Sequence, residues 1–294
     1  MPRALRPVLV LVAALLLAVG CSAPGESSGG DGQTVRIGVA DAAENYWRVY
    51  ADRARAEGII VEFVNFTDYN QPNPALAQGQ LELNEFQHLQ YLANYNAKNN
   101  GDLVPIGATA VYPLPLYSTK YPTVDAIPAG GRIAIPNDPT NQARALLVLQ
   151  AARLITLRGG GSANSTPAEI DQATSRVTVV PIDAAQTAAN LAGVDGAVVN
   201  NNYATAANLR EDQVLFKDDP NSPSSRPYIN AFVARGADRD NPTYQRLAAL
   251  YHDPQVIEAA RADLGASGVF VTTPAAELQA AEQQLRQAAT QAGG

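Results

Sequence analysis

The sequence is short of the residues on which most protein chemistry runs. It has one cysteine, Cys21, and two histidines, His88 and His252, in 294 residues. A single cysteine excludes an internal disulfide framework. So few imidazole and thiol ligands, without clustered acids, leave no metal site to assign. No G-x-S-x-G, H-E-x-x-H, C-x-x-C or G-x-x-x-x-G-K-[ST] pattern occurs, and the glycine run at 159–161 stands alone in a loop-like stretch. An enzyme is therefore the least favoured class, and no cofactor is expected. Lysine and arginine number 21 against 28 acidic residues, for a net charge of −7, and no basic run occurs. Nothing in that balance points to a nucleic-acid partner. The apolar run at residues 8–19 is little more than half the ~20 residues a membrane-spanning helix needs.

What the N-terminus does contain is a secretory pattern. Arg3 and Arg6 precede the apolar run, and a small residue, Gly20, follows it. That reads as a signal peptide over residues 1–20. Ala18-Val19-Gly20-Cys21 resembles a bacterial lipobox, which implies cleavage before Cys21 and a lipid on its sulfur. Residues 22–33 are rich in glycine and serine and read as a flexible tether. The expectation is an exported protein, lipid-anchored on the extracytoplasmic face of the cell membrane.

Beyond the tether, strand and helix patterns alternate. TVRIGV (34–39), a helix closing at Gly58 and IIVEFVNF (59–66) form a βαβ unit. PNPALAQG predicts a short helix, LEL a strand, and 89–98 a helix stopped by Gly101. VYPLPLYS (111–118), with two prolines, reads as a crossing strand rather than a core strand. The alternation restarts with RIAI (132–135) and a helix over 139–152, then RVTVVPI (176–182) and a helix near 184–190. GAVVN (196–200), a helix over 202–208 and QVLF (213–216) follow. DDPNSPSSRP (218–227) reads as loop and YINAFVAR (228–235) as strand, before helices at 241–251 and 254–264.

Two α/β stretches joined by two extended segments predict two lobes, a hinge and a cleft. Residues 34–112 plus 228–271 form the expected first lobe and 117–217 the second. Residues 272–294 read as a helical extension, with Thr273 as cap and Pro274 next. Its large apolar side chains are only Leu278 and Leu285, so weak packing or none is expected.

Two stretches carry candidate binding residues. In IPNDPTNQARALLVLQ (135–150), Asp138 caps a helix that begins at Pro139, with Asn141 in its first turn and Arg144 one turn on. Free backbone N–H groups, an amide and a guanidinium make a receptor for a carboxylate or phosphate. The alternative is a surface arginine paired to a neighbouring aspartate, and spacing alone weighs the two equally. In NEFQHLQYLANY (84–95), Asn84 and Gln87 have capping-box spacing, which predicts a helix start there. Phe86, His88 and Tyr91 gather near that start, with Leu89, Leu92 and Tyr95 facing the core. Spacing alone favours ordinary packing for Phe86 and Tyr91 and a half-buried, hydrogen-bonded place for His88.

Taken in order, TDYNQPNPAL, NEFQHLQYL, VYPLPLYS, IPNDPTNQARALLVLQ, VNNNYA and PYINAFVAR resemble one family over roughly residues 34–270. It is the NlpA/MetQ-type family, the methionine-binding lipoproteins of ABC importers. The resemblance implies an α/β, two-lobed periplasmic-binding-protein fold of type II with two hinge crossings. It also implies capture of methionine, delivery to a transmembrane ABC permease, and no catalysis. By resemblance, Arg144 grips the ligand carboxylate with Asn141 beside it, and Asn200 and Asn230 bind the amino acid's polar end. Tyr69, Phe86, His88 and Tyr91 line the side-chain pocket, while Tyr112 belongs to a hinge strand. Another apolar amino acid or a methionyl dipeptide is the alternative ligand, and a non-transport surface lipoprotein the alternative function. The chain departs from the family in Gln90, where proline is common, and in LELN before FQH. The connection DDPNSPSSRPYIN is longer than usual, and the helix after Thr273 runs past the family's usual end. The first two departures bear on side-chain specificity.

Overall fold

A computed structural model describes residues 34–265 and 268–292. The signal segment, Cys21 and the tether lie outside the described residues. The chain opens with β1 (Val35–Val39), α1 (Asn45–Ala56), β2 (Val61–Asn65), α2 (Pro72–Ala77), β3 (Leu83–Glu85), α3 (Leu89–Asn99), β4 (Leu103–Ala108) and β5 (Ala110–Val111). It continues with β6 (Pro115–Tyr117), β7 (Arg132–Pro136), α4 (Pro139–Ala151), β8 (Thr178–Ile182), α5 (Ala184–Thr187), β9 (Gly196–Val198), α6 (Asn201–Ala206) and β10 (Val214–Lys217). It closes with β11 (Ala231–Arg235), α7 (Pro242–Leu250), α8 (Pro254–Leu264), β12 (Val269–Phe270) and α9 (Ala275–Ala292).

The strands form two five-stranded mixed sheets, one per lobe, and a two-stranded antiparallel ladder of β5 and β12. The first has the order β2-β1-β3-β11-β4 and the second β10-β6-β9-β7-β8. In the first, β1 is parallel to β2 and β3, and β11 runs antiparallel to β3 and β4. In the second, β7 is parallel to β8 and β9, and β6 runs antiparallel to β9 and β10. The chain passes between the sheets at residues 112–114 and again at 218–230. This is the two-lobed, type II periplasmic-binding-protein fold with two hinge crossings. Ile133, Ala134 and Ile135 of β7 are all fully buried, as a parallel strand covered on both faces requires. Around the first sheet the core is aromatic: Trp47 lies 4.7 Å from Phe63, and Tyr50 stacks on Phe232 at 6.0 Å. The second core is aliphatic, built on Ile133, Ile135, Leu146, Leu149 and Val198.

Four local expectations are corrected. VYPLPLYS is only partly a crossing: β6 lies inside the second sheet between β10 and β9, with Leu116 fully buried. Its prolines are tolerated because Pro113 lies in the crossing and Pro115 is the first residue of the strand. Asn84 and Gln87 form no capping box; Asn84 is in β3, and the helix begins at Leu89 with His88 as its cap. Their amides instead close a buried network with Asn73 of α2. Asn73 Nδ2 donates to Gln87 Oε1 at 2.7 Å, Gln87 Nε2 to Asn73 Oδ1 at 2.6 Å, and Asn84 Nδ2 to Asn73 Oδ1 at 3.0 Å. The α3 helix is capped by Asn100, left-handed at φ 48°, one residue before Gly101.

The C-terminal helix does not pack weakly. Leu278 is fully buried in a cluster with Leu89, Ala108, Val111, Tyr228 and Ile229. Asn96 Nδ2 donates to Glu282 Oε1 at 2.8 Å, and Gln279 Nε2 to the Pro105 carbonyl at 3.1 Å. Ala281 and Leu285 pack against the same cluster at partial burial, so Leu278, Ala281 and Leu285 form one docking face at helical spacing. Leu278→Ala is expected to destabilise the protein by about 2–5 kcal/mol, the usual range for a buried leucine, read as a lower denaturant midpoint.

Candidate functional site

The second lobe supplies charge and amides. At the start of α4, Asp138 Oδ1 accepts from the Asn141 backbone N at 3.0 Å and from Asn141 Nδ2 at 3.1 Å. Asn141 is thereby fixed, and its Oδ1 accepts from Asn200 Nδ2 at 2.9 Å. Asn200 holds the cap position of α6 without capping it through its side chain. One turn beyond Asn141, Arg144 is only 5% exposed. Its Nε donates to Asp218 Oδ2 at 2.9 Å, its Nη2 to the Tyr112 carbonyl at 2.7 Å, and its guanidinium carbon lies 4.1 Å from the centre of the Tyr228 ring. Arg144 is paired with an aspartate, but away from the surface and facing a cavity.

The first lobe supplies the facing wall. The amide network around Asn73 fixes the turn between β3 and α3, which carries Phe86 and His88. His88 Nδ1 accepts from the Tyr91 backbone N at 3.1 Å, so the geometry assigns the imidazole proton to Nε2. Burial, and then the charge of Arg144, lowers the His88 pKa to about 3, so the ring is neutral at physiological pH. Tyr91 donates its hydroxyl to the Tyr69 carbonyl at 3.0 Å, and the Phe86 ring lies 5.9 Å from Tyr69 and 5.8 Å from Tyr91. Asn230 forms a β-bridge with His88, and its Nδ2 donates to the Ala110 carbonyl at 3.2 Å.

All eight candidates, Tyr69, Phe86, His88, Tyr91, Asn141, Arg144, Asn200 and Asn230, line one cavity between the lobes. It holds about 720 Å³ of non-atom space, part of which is open to solvent. Two of its buried polar atoms, His88 Nε2 and Asn200 Oδ1, have no hydrogen-bond partner among the described residues. One is a donor and the other an acceptor, and each costs free energy until matched.

The same cavity is lined by residues that sequence reasoning passed over. Tyr112, read as a hinge residue, belongs to the lining as well as to the crossing. Asp41 and Glu85 also line it. Asp41 accepts from the Tyr46 hydroxyl and from Trp47 Nε1, both at 2.8 Å. Glu85 Oε1 accepts from Thr109 Oγ1 at 2.7 Å, and burial, then the charge of Asp41, pushes its carboxyl up to about 8. At the mouth, Tyr69 donates its hydroxyl to Asn202, Asn202 Nδ2 donates to the Ala40 carbonyl at 3.4 Å, and the Tyr203 hydroxyl donates to the Thr67 carbonyl at 3.1 Å. These bonds join the lobes in a closed arrangement. The run of three asparagines in VNNNYA was the available signal for Asn202; Asp41 and Glu85 had none beyond being acids beside apolar strands.

The chain is similar to known proteins over most of its length. The NlpA lipoprotein family matches residues 35–271, so α9 lies beyond the match. A Vibrio cholerae protein named as a probable D-methionine-binding lipoprotein MetQ is 36% identical over 265 residues, 88% of this chain and 96% of its own. The solved substrate-binding protein of a Streptococcus pneumoniae methionine transporter is 37% identical, with a TM-score of 0.75, covering 81% of this chain and 95% of that one. A Burkholderia cenocepacia nutrient-binding protein solved with bound methionine is 34% identical, with a TM-score of 0.74, covering 80% of this chain and 99% of that one.

The buried Glu85 gives a pH signature. Its carboxyl keeps a proton in the folded state up to about pH 8, whereas the unfolded chain releases it near 4.5. Between those values the unfolded state binds fewer protons, so stability falls as pH rises, by at most roughly 1.4 kcal/mol per unit from this group. Above pH 8 the contribution levels off. Glu85→Gln is expected to flatten that decline and to raise stability at pH 8, measured as denaturant midpoint against pH.

Proposed function

The chain belongs to the NlpA lipoprotein family, and from that premise we propose that it captures methionine outside the cytoplasm and delivers it to an ABC permease. One observation carries the reading. A single cavity gathers a guanidinium, an unmatched neutral imidazole donor, an unmatched amide acceptor and an aromatic wall. A free α-amino acid presents the complementary set: an acidic end, a basic end and an apolar side chain.

Arg144 takes the ligand carboxylate, and His88 Nε2–H adds a second, uncharged donor. Asn200 Oδ1 accepts from the ammonium group, with Asn141 holding the Asn200 amide in place and Asn230 completing the polar end. Tyr69, Phe86 and Tyr91 surround the thioether. Sulfur against aromatic rings adds about 0.3–1.5 kcal/mol per contact, and burying the side chain adds roughly 1.5–3 kcal/mol. Because both lobes touch the ligand, its differential affinity favours the closed state. The lobes divide as residues 34–112 with 228–271, against 117–217. Capture and release break no bond of the solute. Cys21 carries the lipid anchor, which keeps the protein beside its permease; the related proteins named as lipoproteins support this placement.

Calorimetry of residues 34–294 against L- and D-methionine, other apolar amino acids and methionyl dipeptides tests the reading. Methionine is expected to bind, and Arg144→Ala to weaken it by about 2–5 kcal/mol, more than loss of any one aromatic. Binding of another solute with no response to methionine would overturn the ligand assignment. Unchanged affinity in Arg144→Ala would overturn the site.

A further inference from the structure

Asp218 is the first residue after β10 and opens the second crossing, and Leu114 is the last residue of the first crossing. The β6–β10 ladder ends with Lys217 opposite Pro115, so Asp218 and Leu114 are the next facing pair. There the ladder is replaced by a side chain: the Leu114 backbone N donates to Asp218 Oδ1 at 2.7 Å. The other oxygen of the same carboxylate accepts from Arg144 Nε at 2.9 Å. Arg144 in turn donates from Nη2 to the Tyr112 carbonyl at 2.7 Å, also in the first crossing, and its guanidinium lies over Tyr228, near the end of the second. One carboxylate thus ties both crossings together and grips the arginine side-on. Arg144 Nη1 has no acceptor among the described residues.

We propose that Asp218 is a positioning residue for ligand capture: it fixes the guanidinium of Arg144 against both hinge crossings so that the Nη1 end faces the cavity. The proposal rests on the reading of Arg144 as the carboxylate-binding group. The physical reason is geometric. A guanidinium is planar, so committing Nε to Asp218 and one Nη2 proton to Tyr112 fixes the direction of the remaining donors. An arginine held in this way loses little side-chain freedom when a carboxylate arrives. The orientation of the charge is also mechanically coupled to the segments about which the lobes close.

The test uses residues 34–294 and two readouts. In the ligand-free protein, ¹⁵N-edited NMR is expected to show a slowly exchanging Arg144 Nε–H, assigned by its loss in Arg144→Lys and abolished in Asp218→Asn. In calorimetry, Asp218→Asn is expected to bind methionine at least about 30-fold more weakly, the lower end for breaking a buried charge pair. Methioninamide, which lacks the carboxylate, is expected to change less than about 3-fold. Equal losses for the two ligands would mark Asp218 as merely structural, and methionine affinity within about 3-fold of the parent would show that Arg144 needs no positioning. Either result overturns the proposal. Asp218→Glu serves if Asp218→Asn does not fold: the displaced carboxylate is expected to shift the Nε–H resonance and narrow the preference for methionine over its amide, and no change in both overturns the proposal. If the parent protein binds no methionine, the functional reading fails, while the NMR readout still decides whether Asp218 fixes Arg144.

Discussion

A guanidinium held almost entirely out of water constrains everything around it. Taking such a charge from solvent costs several kcal/mol unless its donors are matched. In this protein the matching groups come from far along the chain. Asp218 supplies the countercharge, the Tyr112 carbonyl a further acceptor, and Tyr228 an aromatic face. Each sits in a segment that passes between the lobes. The hinge is therefore also the cradle of the charge.

Around that charge the two lobes divide the chemistry. The second contributes the arginine and the paired amides of Asn141 and Asn200. The first contributes aromatic rings and an imidazole that burial and the nearby cation keep uncharged. A protonated His88 would oppose Arg144; a neutral one accepts from the Tyr91 backbone N without that repulsion. The turn that carries it is held by Asn73, Asn84 and Gln87, three uncharged amides whose bonds are mutually satisfied. Such a network orients the wall without altering the electrostatic balance of the cavity.

The parts of this site legible in the sequence are those built from local contacts. Asp138, Pro139, Asn141 and Arg144 lie within two helical turns, so helix-capping rules alone place three of them and put Arg144 on the same face. The Asp218–Arg144 pair spans 74 residues, and no spacing rule reaches that far. Asn84 and Gln87 illustrate the opposite failure. Their separation satisfies a local motif, yet a third amide in α2 outcompetes it. The strand and helix order followed from hydrophobic periodicity, but β6 was hidden by its prolines, because tolerance of proline depends on its position in the ladder rather than on its presence. The docking of α9 was hidden because composition counts apolar side chains, whereas packing depends on where Leu278 inserts and on the polar bonds of Gln279 and Glu282 beside it. The eight cavity residues owe their selection largely to family resemblance; spacing alone left several of them equally suited to ordinary packing.

The docked α9 also makes the protein convenient to instrument. The helix is anchored on α3 and β4 of the first lobe, and it lies outside the stretch shared with the family. A dye on its solvent face would report the orientation of that lobe without touching the cavity, and a second dye on the opposing lobe would turn closure into an optical distance. The chain's only native thiol is Cys21, so two introduced cysteines in residues 34–294 would be labelled with no competing site.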